Sequence, residues 1–216
     1  MITTFHEHNF SELCHSLAQK DEALQGIIAA YGLPPMWTRP NSFATLVLII
    51  LEQQVSISAA YAAFLKLKGS IGEPTPEKIL AMSDEALRAC YFTRQKRGYV
   101  RGLATAVLEG SVNLARYESM TDAAVRAELT QLKGIGHWTV DIYLLQALRR
   151  TDVFPIGDIA LVAALKETKG LDKTTSKEAL LQLAEPWRPH RSMATMLLWH
   201  HYLRKRNRKG VDPYTH

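Results

Sequence analysis

Asp158 is the carboxylate whose setting most invites a chemical role. It follows Phe154-Pro155-Ile156-Gly157 and precedes the apolar Ile159, Leu161 and Val162, which puts it at the start of a helix. A plain N-cap has the same setting, and any helical protein uses such caps repeatedly, so the residue alone leaves both roles open. Upstream, Leu132-Lys133-Gly134-Ile135-Gly136 carries two glycines two apart between helix-like segments. Glycine serves where a chain needs φ > 0 or close approach to another backbone, so a hairpin is expected over 132–137. The helix beyond it carries Trp138, Ile142, Leu145 and Leu148 at helical spacing. Its start beside the glycines leaves free N–H groups and the positive dipole end pointing outward, the outline of a phosphate site.

The elements that must position these residues read as helices throughout. Phe10, Leu13 and Leu17, then Leu24, Ile27, Ile28 and Tyr31, predict two short helices ended by Gly32 and Pro34-Pro35. Asn41 or Ser42 caps a helix through Phe43, Leu46, Ile49 and Ile50, and Ser56 or Ser58 caps an Ala-rich one through Tyr61, Phe64, Leu65 and Leu67. A turn-rich connection is expected over 69–76, the candidate crossing between lobes. Ser83 caps a short helix, and the helix over 93–108 carries Lys96, Arg97 and Arg101 on one side. The first helix of the hairpin is expected over 121–132. Thr174 or Thr175 caps a helix through Leu180, Leu181 and Leu183, Pro186 and Pro189 break it, and the last helix covers 192–203. No strand and no internal repeat is found, so the class is all-α.

Composition bounds the rest. With 216 residues, 47% of them hydrophobic, the chain can bury a full core as one domain of two joined lobes. The formal charge of +5 is compatible with a polyanionic partner, and its distribution says more than its sum. Residues 188–209 hold seven Lys or Arg and no Asp or Glu, which reads as a solvated basic helix and tail or as a phosphate-facing surface. Cys14 and Cys90, far apart in sequence, fit unpaired thiols in a reducing compartment. The adjacent His200-His201 lacks metal-ligand spacing. No stretch is long enough to span a bilayer and the N-terminus has no leader pattern, so a soluble, cytoplasmic protein is expected.

The motif L-x-G-I-G-x-W-T at 132–139 and the later D-x-F-x-x-x-D at 152–158 resemble those of the helix-hairpin-helix (HhH-GPD) DNA glycosylases of base excision repair, and the likeness is nearest to the 3-methyladenine DNA glycosylase II branch. The resemblance extends to Ile50-Leu51-Glu52-Gln53-Gln54-Val55-Ser56, similar to an I-L-x-Q-x-[IV]-S segment, and to Pro186-Trp187-Arg188 with Arg191-Ser192 and Trp199; it covers roughly residues 40–203. It implies a two-lobed helical fold with the active site in the cleft between lobes, lobe 1 at about 1–70 plus 172–216 and lobe 2 at about 71–171. A compact, single-domain form without the branch's additional N-terminal domain is expected.

The resemblance also assigns roles. Asp158 becomes the catalytic carboxylate, with Asp152 and Asp141 as the rivals and Asp152 expected in a turn or capping job. Gly134 and Gly136 offer amides to a DNA phosphate, with Lys133 and His137 as further phosphate-binding residues, His137 standing where the family often has Arg or Thr. Gln54 takes the wedge position, although a polar residue at a helix end is the simpler reading of it in isolation. Trp138 and Trp199 occupy base-pocket positions; Trp37 and Tyr143 are further candidates, for which a core role is the simpler reading, as for Trp187. Ile142 replaces a frequent tyrosine. Because position 138 is Trp rather than Lys, no amine is present there for a Schiff base, so water is the expected nucleophile and no strand cleavage follows. An oxocarbenium-like sugar calls for a fixed carboxylate, and a positively charged alkylated purine for aromatic faces. No cofactor is required, although main-chain carbonyls at Thr130, Leu132 and Ile135 are implied as ligands of a monovalent cation (Na+ or K+). No cysteine follows Cys90, so the iron–sulfur cluster of some relatives is not expected. The expectation is a monomeric, monofunctional glycosylase that removes alkylated purines (3-methyladenine, 7-methylguanine class) from damaged double-stranded DNA. The alternatives are another lesion class (8-oxoguanine, hypoxanthine or uracil) or a non-catalytic DNA-binding module.

Overall fold

The structure, a computed structural model, describes residues 2–207. Among these residues it forms thirteen α-helices and one 3-10 helix, with no strand beyond an isolated bridge between Thr4 and Arg150. The all-α expectation is met, and none of the helices described is long and apolar enough to cross a membrane.

Two compact units divide the chain. The first is built on Arg39–Tyr143. Its centre is α3 (Phe43–Glu52), in which Phe43 to Leu51 are all buried; a helix apolar on every side must be wrapped by others. α4 (Ile57–Ile71) and α7 (Arg94–Leu108) pack on it, and α5 (Pro76–Ala81) and α6 (Asp84–Ala89) pack on α7. α8 (Leu114–Tyr117) and α9 (Asp122–Leu129) then lead into the hairpin and α10 (His137–Gln146), within which the first unit ends at Tyr143. Hydroxyl side chains start many of these helices: Ser42, Ser56, Thr75, Ser83, Thr93 and Thr121 each accept an N–H of the first turn.

The second unit joins Thr3–Thr38 to the chain from Leu144 onward. Here α1 (Glu7–Ala18), α2 (Glu22–Tyr31) and α11 (Ile159–Thr168) pack on α13 (Arg191–Lys205), whose Ser192 to Leu198 are buried. α12 (Lys177–Ala184) and the 3-10 turn Glu185–Trp187 complete it. The N-terminal segment is tied in by backbone bonds, Phe5 N to Arg149 O at 2.9 Å and Thr151 N to Thr3 O at 3.2 Å.

Three expectations differ from this arrangement. The units part at Thr38/Arg39 and Tyr143/Leu144 rather than near residues 70 and 171, because α3 and α4 share a core with α7. Gly69 lies inside α4, which runs to Ile71 and ends on Gly72 at φ +71°; one glycine in a helix costs too little to stop it. Ser176, not Thr174 or Thr175, caps α12, while Thr174 bonds Asp172 in the preceding turn. Of the basic run, Arg208 and Lys209 lie outside the described residues.

Candidate functional site

In the first unit, the hairpin is shaped by steric necessity. Gly134 has φ +89°, and a Cβ on it would meet the Tyr99 ring at 2.2 Å, so both the backbone angle and the space demand glycine. Ile135 N donates to Leu132 O at 3.0 Å, closing the turn, and Val140 N donates to Gly136 O at 3.1 Å as α10 begins. The amides of that first turn have no partner within the helix. Lys133, Gly136 and His137 are exposed beside them. The stretch therefore presents donors and positive charge together, as a phosphate contact requires.

Gln54 is exposed between α3 and α4 and holds φ +60°, an uncommon angle for a residue with a Cβ. Val55 and Ile57 beside it are 45% and 47% exposed. Gln54 is thus a polar tip with exposed apolar side chains beside it. The preceding residue is held on both sides. Gln53 Nε2 donates to Gly134 O at 2.8 Å and to Thr139 Oγ1 at 2.9 Å, and Lys96 Nζ donates to Leu51 O at 2.6 Å and Gln53 O at 2.9 Å. Burial pulls the Lys96 ammonium below its ordinary pKa, opposed by the charge of Glu52, itself gripped by both terminal nitrogens of Arg39. A concavity of about 300 Å³ nearby is lined by Leu51, Val55, Ala59, Ala63, Tyr91 and Lys96 among others. Its lining holds no carboxylate.

In the second unit, Asp158 is the N-cap of α11 and is partly exposed. Its Oδ1 accepts the Leu161 amide at 2.8 Å and the Trp199 indole N–H at 3.0 Å. The cap fixes the carboxylate and a donor from α13 orients it. Trp199 and Trp37 are partly exposed and meet edge-to-face, with centroids 6.5 Å apart, and the His200 ring lies 6.3 Å from Trp37. Trp37 therefore joins Trp199 in an aromatic wall on the Asp158 side of α13, rather than lying wholly in the core.

Other candidates separate cleanly. Tyr143 is fully buried, its hydroxyl donating to Asn41 and its ring against Tyr117, so it is core and not pocket. Ile142 is likewise buried, whereas Trp138 is partly exposed. Trp187 is core, donating through Nε1 to Asp21 at 2.8 Å. Asp152 holds Arg188 and Arg191, and Asp141 pairs with Arg126, so both rival carboxylates are spoken for structurally. Lys96, expected on a basic face, is buried. Sequence reasoning missed Gln53 and Tyr99 as supports of the hairpin and Lys96 as a support of the α3 end; only Gln53 carried a signal, as the Gln of the I-L-x-Q-x-[IV]-S segment.

The sequence profile of the HhH-GPD superfamily base excision DNA repair proteins matches residues 47–189. DNA-3-methyladenine glycosylase 1 of Schizosaccharomyces pombe is 31% identical over 165 residues, covering 74% of this chain and 72% of that protein. Among solved structures, S. pombe 3-methyladenine DNA glycosylase in complex with abasic DNA superposes with a TM-score of 0.82 at 29% identity, covering 95% of this chain and all of that one. A DNA-3-methyladenine glycosidase from Bacillus halodurans gives 0.73 at 31% identity, with 88% of each chain covered. Against two Bacillus subtilis relatives this chain spans 64% and 57% of their lengths.

Proposed function

The chain belongs to the HhH-GPD superfamily of base excision DNA repair proteins, and on that premise we propose that it is a monofunctional DNA glycosylase. Its substrates are alkylated purines of the 3-methyladenine and 7-methylguanine class, flipped out of damaged double-stranded DNA. The protein acts as a monomer and leaves an abasic site. The observation that carries this reading is the Asp158 carboxylate, fixed by the Leu161 amide and the Trp199 indole next to an aromatic wall.

In the proposed reaction the C1′–N bond breaks and its electron pair leaves with the base. An alkylated purine already carries positive charge, so it departs neutral and needs no proton. Asp158 stabilises the oxocarbenium-like sugar and accepts a proton from the attacking water, whose oxygen bonds to C1′. Aromatic faces such as Trp199 and Trp37 favour the cationic base over a neutral one. Trp138 supplies no amine, so no covalent sugar adduct forms and the backbone stays intact.

The hairpin would hold a monovalent cation through the carbonyls of Thr130, Leu132 and Ile135. These are uncharged hard oxygens, and Leu132 O, which accepts from Ile135 N, keeps a second lone pair. The ion would add positive charge beside a bound phosphate. Replacing Na+ and K+ by a tetraalkylammonium at constant ionic strength should weaken DNA binding; an unchanged Kd would remove the ion from the reading.

The test is a panel of duplexes, each with one lesion: a 3-methyladenine analogue, 7-methylguanine, 1,N6-ethenoadenine, hypoxanthine, 8-oxoguanine or uracil. Wild type and Asp158→Asn are compared with and without alkali. Release of alkylated base by wild type alone, with strand breaks only after alkali, is expected. Full activity in Asp158→Asn would remove that carboxylate from the reaction, and tight DNA binding without release from any duplex would indicate a non-catalytic module.

A further inference from the structure

Helix α7 sends two residues, one turn apart, beneath two different surface features of the first unit. Lys96 reaches the end of α3, where its ammonium takes the Leu51 and Gln53 carbonyls at 2.6 and 2.9 Å. These carbonyls belong to the negative end of the α3 dipole, so the cation both satisfies and neutralises them. Tyr99 lies against Gly134 so closely that no Cβ fits between them. Gln53 closes the frame, its amide nitrogen bridging Gly134 O at 2.8 Å and Thr139 Oγ1 at 2.9 Å. The residue that follows it is Gln54, exposed and held at φ +60°. A strained angle of this kind persists only where its surroundings over-determine it. Here the carbonyl and the side chain of the preceding residue are both pinned.

We propose that Gln53 and Lys96 are positioning residues for base extrusion, a rigid brace that sets Gln54 at a fixed place relative to the phosphate-binding hairpin. The proposal rests on the reading that the chain extrudes damaged bases. A wedge side chain acts by filling the space a base leaves, which stabilises the extruded state only if the wedge is held in register with the backbone anchor. Neither Gln53 nor Lys96 touches the reacting atoms in this scheme. Their removal slows extrusion, and the glycosidic chemistry on a base that is already free is spared.

The experiment uses Gln53→Glu, which keeps the shape and loses the donor, Lys96→Met, which keeps the packing and loses the charge, and Gln54→Gly as the wedge reference. Thermal unfolding confirms that each is folded; Gln53→Glu, in a partly buried side chain, keeps the test open should Lys96→Met fail to fold. Each is assayed under single-turnover conditions on a lesion paired with its normal partner and on the same lesion opposite an abasic site, where no pairing must be broken. All three variants should lose roughly tenfold or more on the paired lesion, the scale of one or two lost hydrogen bonds. Most of that loss should be recovered on the unpaired lesion. In parallel, 2-aminopurine at the target position reports extrusion by fluorescence without any cleavage; wild type should raise the signal on binding and the variants should not. Equal loss on both duplexes, or a wild-type fluorescence rise in Gln53→Glu, overturns the brace. A fluorescence difference between wild type and variants, with no base release by wild type from any lesion, would uphold the brace while overturning the catalytic reading.

Discussion

At the scale of single residues, the Asp158 carboxylate and the Trp199 indole share one hydrogen bond of 3.0 Å that serves two purposes. The N–H orients the carboxylate, and the ring contributes a face to the aromatic wall. Trp199→Phe separates them, since it keeps a ring and deletes the donor. We expect a kcat about tenfold lower with little change in KM, measured in single-turnover and steady-state assays, the scale of one charged hydrogen bond. An unchanged kcat would leave the indole N–H without a part in the chemistry. Gly134 makes a second residue-level case. Gly134→Ala faces both the φ penalty and the Tyr99 ring at 2.2 Å, so a loss on the order of 2 kcal/mol in denaturant unfolding is expected. Adding Tyr99→Ala should return only the steric part, because the angle remains; complete recovery would mean that φ costs nothing here.

At the scale of elements, the turn between α9 and α10 gathers amides, Lys133 and His137 on one exposed stretch. Each cation that touches a phosphate contributes to the salt dependence of binding. Lys133→Ala should weaken binding to all sequences alike and reduce the slope of log Kd against log salt by about 1. An unchanged slope places Lys133 off the DNA. Element limits also show what local pattern can and cannot supply. Ser83 was readable as a cap, and Ser42 and Ser56 each as one of two neighbouring candidates, because a hydroxyl before an apolar period has a local job. α12 shows the limit: three hydroxyl residues stand in a row, and Asp172 takes Thr174 into a turn, leaving Ser176 to cap. Gly69 shows another, since packing of α4 on α3 outweighs a weak local preference.

At the scale of the whole molecule, the second unit joins segments from both ends of the sequence, and Asp21 is one of the ties. It caps α2 and receives Lys169 Nζ at 2.7 Å and Trp187 Nε1 at 2.8 Å. Burial works to raise its pKa, but the Lys169 and Trp187 hydrogen bonds, the Leu24 amide and the Lys169 charge together hold it below the ordinary carboxylate value. A lowered folded-state pKa means that the unfolded chain binds the proton more readily. The stabilisation is therefore complete above the unfolded carboxylate pKa and is lost as pH falls through the lower folded value. Asp21→Asn should cost on the order of 2 kcal/mol at neutral pH, judged from the charged hydrogen bonds removed. The difference from wild type should shrink below about pH 4, the usual carboxylate range. A pH-independent difference in thermal unfolding would assign the effect to packing instead.

The all-α class, most helix starts, the glycine hairpin and the position of Asp158 at a helix start were legible in the amino-acid sequence, because each depends on neighbours within a turn or two of chain. Motif spacing singled out Gln54 and Trp199 but not their surroundings, the φ of +60° at the one and the bond to Asp158 at the other. Only the tertiary structure decided that Tyr143 is core, that Trp37 stands beside Trp199, and that Lys96, which a helical wheel would place among basic surface residues, is buried under the end of α3. It also decided where the units divide, and that Gln53 bonds a residue eighty-one positions away. The reason is common to all of these. A side chain's partner across the fold is set by how helices pack on one another, and helical periodicity records that a face is buried without recording what it is buried against.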